Sequence, residues 1–142
     1  MKLTKTSTQA ALAMAFLSRQ PASLPVQARQ VAEYLGIPND SALKVLQALA
    51  RQRLLRSRLG RAGGYQMARP ATAVTLLEVI EAIDGPIHAE LPITAEGPAF
   101  DHPLGILGDL CRRSVDFLRE ELASRTVADL AEPSAAPLAV AG

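Results

Sequence analysis

The pattern of apolar and polar positions changes period as the chain proceeds. Residues 4–18 are apolar on most sides, from Ala10, Ala11, Leu12, Ala13 and Met14 through Leu17. They predict a first helix central to the packing and ended by Pro21. Residues 26–35 predict a second helix, with Val31 and Leu35 on one face and Gly36 as its C-terminal cap. Ile37-Pro38-Asn39-Asp40 leads into a third helix, about 41–53, capped by Asn39 or Asp40. Within it Ala42, Val45, Leu46 and Leu49 recur at helical spacing and should face inward. Two short strands follow, 55–58 and 65–68. Gly60, Gly63 and Gly64 lie between them, where a positive φ costs nothing. Two helices joined by a glycine-containing turn, then a hairpin with Tyr65 leaving its turn, make a winged helix-turn-helix.

The second half is helical again. Thr75 and Glu78 have capping-box spacing at the head of a fourth helix, Val74 can staple to Val79, and Asp84-Gly85-Pro86 closes it. Residues 86–103 carry four prolines and Gly97 and read as irregular chain. Pro103, behind Asp101 or His102 as cap, suits the first turn of a fifth helix reaching about residue 124. Leu104, Leu107, Leu110, Cys111, Phe117, Leu118 and Leu122 give that helix an apolar stripe broader than one small domain needs. Gly105 and Gly108 would let another backbone approach it. The stripe predicts a dimerisation arm. One further turn fits 126–130, and the Ala/Pro-rich tail, 132–142, is expected to be disordered.

Composition narrows the class. A 49% hydrophobic content supports a real core, built from Leu, Val, Ile and Ala because aromatics are few. No apolar run reaches the length of a membrane span. Polar residues 4–9 and Ser18-Arg19-Gln20 bracket too short an apolar segment for a signal peptide, so a cytoplasmic chain is expected. The single cysteine, Cys111, excludes an internal disulfide and an all-Cys metal site within one chain.

The net charge of +1 hides an asymmetry. Residues 1–72 hold 11 Lys or Arg against Glu33 and Asp40, giving +9; residues 73–142 hold four Arg against 12 acids, giving −8. From Arg51 to Arg69 there are six arginines and no acid. Such crowding is relieved by a phosphate backbone between the side chains. The hairpin taken alone also reads as a solvated basic loop. On the third helix Ser41, Leu43, Lys44 and Gln47 lie opposite the core face, in the turns that meet base edges in a recognition helix. Gln47 suits adenine, Lys44 guanine or a phosphate, and Leu43 a thymine methyl. Arg56, Arg58 and Arg61 on the wing, with Lys2 and Lys5 at the start of the chain, complete the candidate DNA-binding set. Each of these residues singly also reads as an ordinary surface side chain.

These residues resemble the Rrf-two family of bacterial winged-helix regulators, which includes the iron–sulfur-cluster regulator and the nitric-oxide-sensitive repressor. The likeness runs from Met1-Lys2-Leu3-Thr4 through Val31-Ala32-Glu33-Tyr34-Leu35-Gly36-Ile37. It is sharpest at Gly60-Arg-Ala-Gly-Gly-Tyr-Gln-Met-Ala-Arg69 and continues over residues 74–85. It covers residues 1–86 well and the long helix with Thr126-Val-Ala-Asp-Leu130 more loosely. The resemblance implies a homodimer on a palindromic operator, with repression or activation of transcription. We expect a repressor, mainly α with a small β-hairpin wing and a long C-terminal dimerisation helix. The expected division is 1–86 DNA-binding domain, 87–102 proline-rich loop, 103–131 dimerisation helix and final turn, and 132–142 tail.

Two departures from the family pattern matter. Cluster-binding members carry three cysteines between the fourth and the long helix; residues 85–103 have none here, and Cys111 lies beyond them. Thiolates hold such clusters, so no cofactor and no metal site is expected. Some relatives place an arginine just before the first wing glycine, where this chain has Leu59; Arg58 and Arg61 flank it and suit the same minor-groove role. Signal sensing stays open between a Cys111 thiol switch, a small-molecule effector, a protein partner, and a metal held by His88, Glu90, Glu96, Asp101 and His102. That last spacing fits no metal motif, and an inert buried Cys111 fits its stripe. A winged-helix protein adaptor is the alternative function. An enzyme is not expected: Gly60-x-x-Gly63-Gly64 lacks the Lys-Ser/Thr of a phosphate loop, and no nucleophile and base pair by spacing.

Overall fold

The structure, a computed structural model, describes residues 1–131. Its order is α1 (Lys5–Ser18), α2 (Ala28–Leu35), α3 (Asn39–Arg51), β1 (Leu55–Arg58), β2 (Gly64–Met67), a single 3-10 turn (Ala71–Ala73), α4 (Leu76–Asp84), α5 (Pro98–Ala123) and α6 (Val127–Ala131). The mainly helical fold with a hairpin wing is the one expected. The expected tail, 132–142, lies outside the described residues. Among those described, no helix is long and apolar enough to cross a membrane.

The core forms where the apolar faces of the helices meet α1. Ala10, Ala13, Met14 and Leu17 from α1 pack with Val31, with Ala42, Val45, Leu46 and Leu49 of α3, and with Val74, Val79 and Val127. Met14, Leu46 and Leu49 are fully inaccessible to solvent. Burial of one such side chain contributes about 1.5–3 kcal/mol. The α3 inward face is therefore the one its spacing predicts.

Local chemistry sets the ends. Thr4 caps α1 by accepting from the Ser7 N–H at 3.0 Å, and its hydroxyl donates to the Asp84 carboxylate at the far end of α4. Thr75 and Glu78 form both halves of the predicted capping box on α4. The last residues fold back on the winged helix. Val127 N donates to Val74 O, and Leu76 N donates to Arg125 O, each at 2.9 Å.

Several boundaries differ from the sequence reading, each for a local reason. α2 starts at Ala28 because Val26 is committed to the wing: its N–H donates to Tyr65 O at 2.9 Å, and Tyr65 N returns the bond at 2.8 Å. α3 runs Asn39–Arg51 with Pro38 at its head, so Asn39 and Asp40 lie in the first turn and cap nothing. Its end is fixed by Arg53, at φ +59, which cannot continue a right-handed helix. β2 begins at Gly64, one residue early, paired with Arg58. α5 begins at Pro98, five residues before the expected Pro103. Gly97-Pro98 is itself a start signal, and Phe100 N already donates to Gly97 O. Pro103 thus lies inside the helix and the connecting loop ends at Gly97.

The wing glycines divide the work differently from the expectation that all three serve positive φ. Gly60 (φ +102) and Gly64 (φ +145) do. Gly63 is required by space: a Cβ there would lie 2.1 Å from Arg58 O.

Candidate nucleic-acid interface

The site is built from the outward sides of α3 and the wing, with the start of α1 beside them. Because Ala42, Val45, Leu46 and Leu49 are buried, the opposite residues are forced outward: Lys44 and Gln47 are exposed. Ser41 and Leu43 are half-buried, so Leu43 offers only part of its surface to a partner. The structure brings Lys5, Ser41 and Lys44 together around one groove of about 470 Å³, whose walls include Thr6, Gln9 and Pro38. Arg51 follows Lys44 and Gln47 on the same helical stripe and is exposed. In sequence it belongs to the basic run without an assigned role; its i+4 spacing from Gln47 is the signal that finds it.

On the wing, Arg56 and Arg58 alternate with Leu55, which is buried, and so point away from the core. Arg56 pairs across the ladder with Gln66. It lines a separate, mainly apolar cavity of about 400 Å³ between the wing and residues 17–26, and not the Lys5–Lys44 groove. Arg61 is exposed at the turn, and its carbonyl accepts from Gln27 Nε2 at 3.4 Å. Gly64 sets the wing's position: a Cβ on it would meet Val26 O at 2.5 Å. Tyr65 is half-buried and joins the wing to Val26. Lys2 is exposed ahead of α1. Among the described residues, Lys2, Lys5, Lys44, Arg51, Arg53, Arg56, Arg58 and Arg61 enter no ion pair with an acid. Their charges are exposed to solvent on this side of the domain.

Arg69 is different. It donates to Glu78 Oε1 at 2.7 Å and to Ala73 O at 3.1 Å, which ties the end of the wing to α4. Burial would raise the Glu78 pKa, but the Thr75 N–H, the Arg69 guanidinium and the Thr75 hydroxyl together outweigh it and hold the carboxyl below its usual value. Arg69 is a structural arginine, and the basic wing has one cation fewer than the sequence run suggests.

The long helix exposes a second surface. Phe100, Leu107, Leu110 and Phe117 are 47%, 50%, 51% and 66% exposed, at heptad-like steps of seven, three and seven. Leu104, Cys111, Leu118 and Leu122, from the same predicted stripe, are half-buried. Arg119 anchors this part of α5 to α4 through an ion pair with Glu81 and a bond to Ile87 O at 3.1 Å.

The sequence pattern of one family matches nearly the whole chain, residues 3–133; it is the Rrf-two family, described as iron-dependent transcriptional regulators. The chain belongs to the Rrf-two family. It is a DNA-binding transcriptional regulator and not an enzyme. Helix-turn-helix-type transcriptional regulators from two strains of Mycobacterium tuberculosis are 31% identical over 131 residues, 92% of this chain and 81% of each relative. Solved structures share the fold. The global cysteine regulator CymR of B. subtilis superposes with a TM-score of 0.73 at 23% identity, covering 92% of this chain and 96% of that one. IscR of T. potens gives 0.64 at 20% identity, covering 92% and 85%.

The iron in the family description raises a test that the donor set answers. An iron–sulfur cluster needs several thiolates, and each chain has one cysteine. Cys111 is half-buried beside Leu91, Gly108 and Arg112. Among the described residues no three His, Cys, Asp or Glu side chains are grouped to hold a metal. His88 and Glu90 approach to 3.6 Å without a third ligand. The residues present do not fit a cysteine-ligated cluster.

Proposed function

We propose that this Rrf-two regulator works as a homodimeric repressor, with each copy placing α3 in the major groove and its wing on the adjacent minor groove of an inverted repeat. The observation that carries the dimer is the stripe of Phe100, Leu107, Leu110 and Phe117. Four large apolar side chains about half exposed on one helix face are what a second copy of the same helix covers. A two-fold axis makes such an interface self-complementary and sets two reading heads on symmetric half-sites. Lys44, Gln47 and Ser41 then meet bases or phosphates, and Arg58 and Arg61 meet the groove beside them. Repression needs only that a seated dimer exclude polymerase from the promoter, with no chemistry of its own.

The test measures mass in solution by light scattering, with and without an operator duplex, for the wild type and for the double variant Leu107→Arg, Leu110→Arg. The expected wild type is a dimer that binds one duplex, and the expected variant is monomeric and binds weakly. A monomeric wild type that binds one half-site at full affinity would reject the dimer. Transcription in vitro from a template carrying the bound site reports the sign of regulation.

A further inference from the structure

We propose that Arg53 is a dedicated phosphate-contacting residue, held in the left-handed conformation at the joint between α3 and the wing. This rests on the interface proposed above and extends it by a residue outside the reading face and the hairpin.

One motif is built twice in the same chain. At the end of α2, Gly36 has φ +64; its N–H donates to Glu33 O at 3.3 Å, and Ile37 N donates to Ala32 O at 3.0 Å. At the end of α3, Arg53 has φ +59; its N–H donates to Ala50 O at 3.0 Å, and Leu54 N donates to Leu49 O at 3.0 Å. Both are Schellman ends, which need one residue at positive φ. Leu49 and Leu54, which flank the second one, are both buried, so the backbone path is fixed by the core. Glycine is the residue that adopts this conformation without Cβ strain, and an L side chain there is disfavoured. Arg53 is the one non-glycine residue at positive φ among those described.

Nothing within the described chain compensates for that choice. Arg53 is exposed, and its guanidinium makes no hydrogen bond or ion pair there. In sequence the half of the chain around it holds only two acids, Glu33 and Asp40, and in space the cavity that Gln52 and Leu54 line holds Glu78 and Glu81, which are paired with Arg69 and Arg119. Glu33 is taken by Arg29 at 4.0 Å. Strain kept at an exposed cation points to a partner outside the chain. Arg53 stands two residues after Arg51, which ends the outward stripe of Lys44 and Gln47, and three before Arg56 on β1. A phosphate of the strand that both elements straddle is the anion within its reach. The rigid left-handed joint presents the side chain from a fixed base, which lowers the entropy lost on contact.

Stability and binding should respond to substitution with opposite signs. Arg53→Gly should raise the Tm of the free protein by about 1–4 °C, because the strain removed exceeds the entropy that a glycine adds to the unfolded chain. It should also lower the slope of log affinity against log salt by about 0.9, the loss of one phosphate contact. At about 0.1 M salt that corresponds to roughly eightfold weaker binding. Arg53→Ala should lose the same slope without the gain in Tm. Arg53→Lys should keep most of the slope. Arg29→Ala, which removes a cation already paired with Glu33, serves as the control for simple loss of charge. The probe is a short mixed-sequence duplex titrated between about 50 and 200 mM salt.

A slope change for Arg53→Ala no larger than that for Arg29→Ala overturns the proposal, as does an Arg53→Gly protein whose Tm fails to rise. If Arg58→Ala and Arg61→Ala lower the slope while the Arg53 variants do not, the interface stands and the assignment of Arg53 falls. If none of them changes it, the interface itself is wrong.

Discussion

Replacing Gly64 by alanine should detach the wing from the body of the domain. The methyl group would lie 2.5 Å from Val26 O and 2.7 Å from Val26 C. Both are backbone atoms, so no side chain can turn aside. Relief requires the strand to move off residue 26, which breaks the pair of bonds between Val26 and Tyr65 at 2.9 and 2.8 Å. Two hydrogen bonds at about 0.5–1.5 kcal/mol each give about 1–3 kcal/mol. Alanine at φ +145 adds about 1–2 kcal/mol. The stiffer unfolded chain returns about 0.5–1 kcal/mol. The net loss is about 1–4.5 kcal/mol. Gly60→Ala is the matched control, since Gly60 also has positive φ but a methyl group there would meet nothing within 4 Å; only the conformational cost of about 1 kcal/mol remains. Urea denaturation followed by circular dichroism, with equal slopes required for a fair comparison, measures both. Equal losses for the two variants, or a Gly64→Ala loss below about 1 kcal/mol, would refute the close approach of wing and body.

Other consequences follow from single contacts. Glu78, whose pKa is held below the ordinary carboxylate value, stabilises the fold above that ordinary value and loses its effect as pH falls through the lowered one. Glu78→Gln should therefore flatten the acid limb of the stability–pH curve, and an unchanged limb would contradict the Arg69–Thr75 arrangement. Gln47→Ala should lower discrimination at one base pair by about 1–3 kcal/mol, read by binding to single-base variants of the operator. Arg58→Ala and Arg61→Ala should each weaken binding and lower the salt slope by about 0.9. Breaking the Glu81–Arg119 pair with Arg119→Met should loosen α5 from α4, seen as faster amide exchange around residues 85–95, with the winged helix unaffected.

The helices were legible where apolar spacing and a cap agreed. The inward face of α3 and the Thr75–Glu78 box are local facts, and local facts survive folding. The wing was legible because its glycines have no substitute, although Gly63 serves space where the sequence suggested φ. The misread boundaries have non-local causes. Val26 lies in a helical stretch by pattern but bonds Tyr65, 39 residues on. Pro98 and Pro103 are equivalent start signals, and only the hydrogen bond at Phe100 separates them. Charge was legible as a sum and not as a distribution. Arg69 belongs to the basic run in sequence and to Glu78 in space. Leu104 and Leu107 share a stripe by composition, yet one is half-buried in its own chain and the other is half exposed. The left-handed Arg53 carries no sequence signature, since the glycine that usually marks such a turn is absent.

The most direct test of the central claim is selection of bound duplexes from a random pool by the purified protein at near-physiological salt, followed by sequencing. A dimeric regulator predicts enrichment of an inverted repeat with half-site centres about one helical turn, 10–10.5 base pairs, or a multiple of it apart. Enrichment should disappear for the Leu107→Arg, Leu110→Arg protein. Enrichment of a single, unrepeated half-site by both proteins, or of no sequence by either, would contradict it.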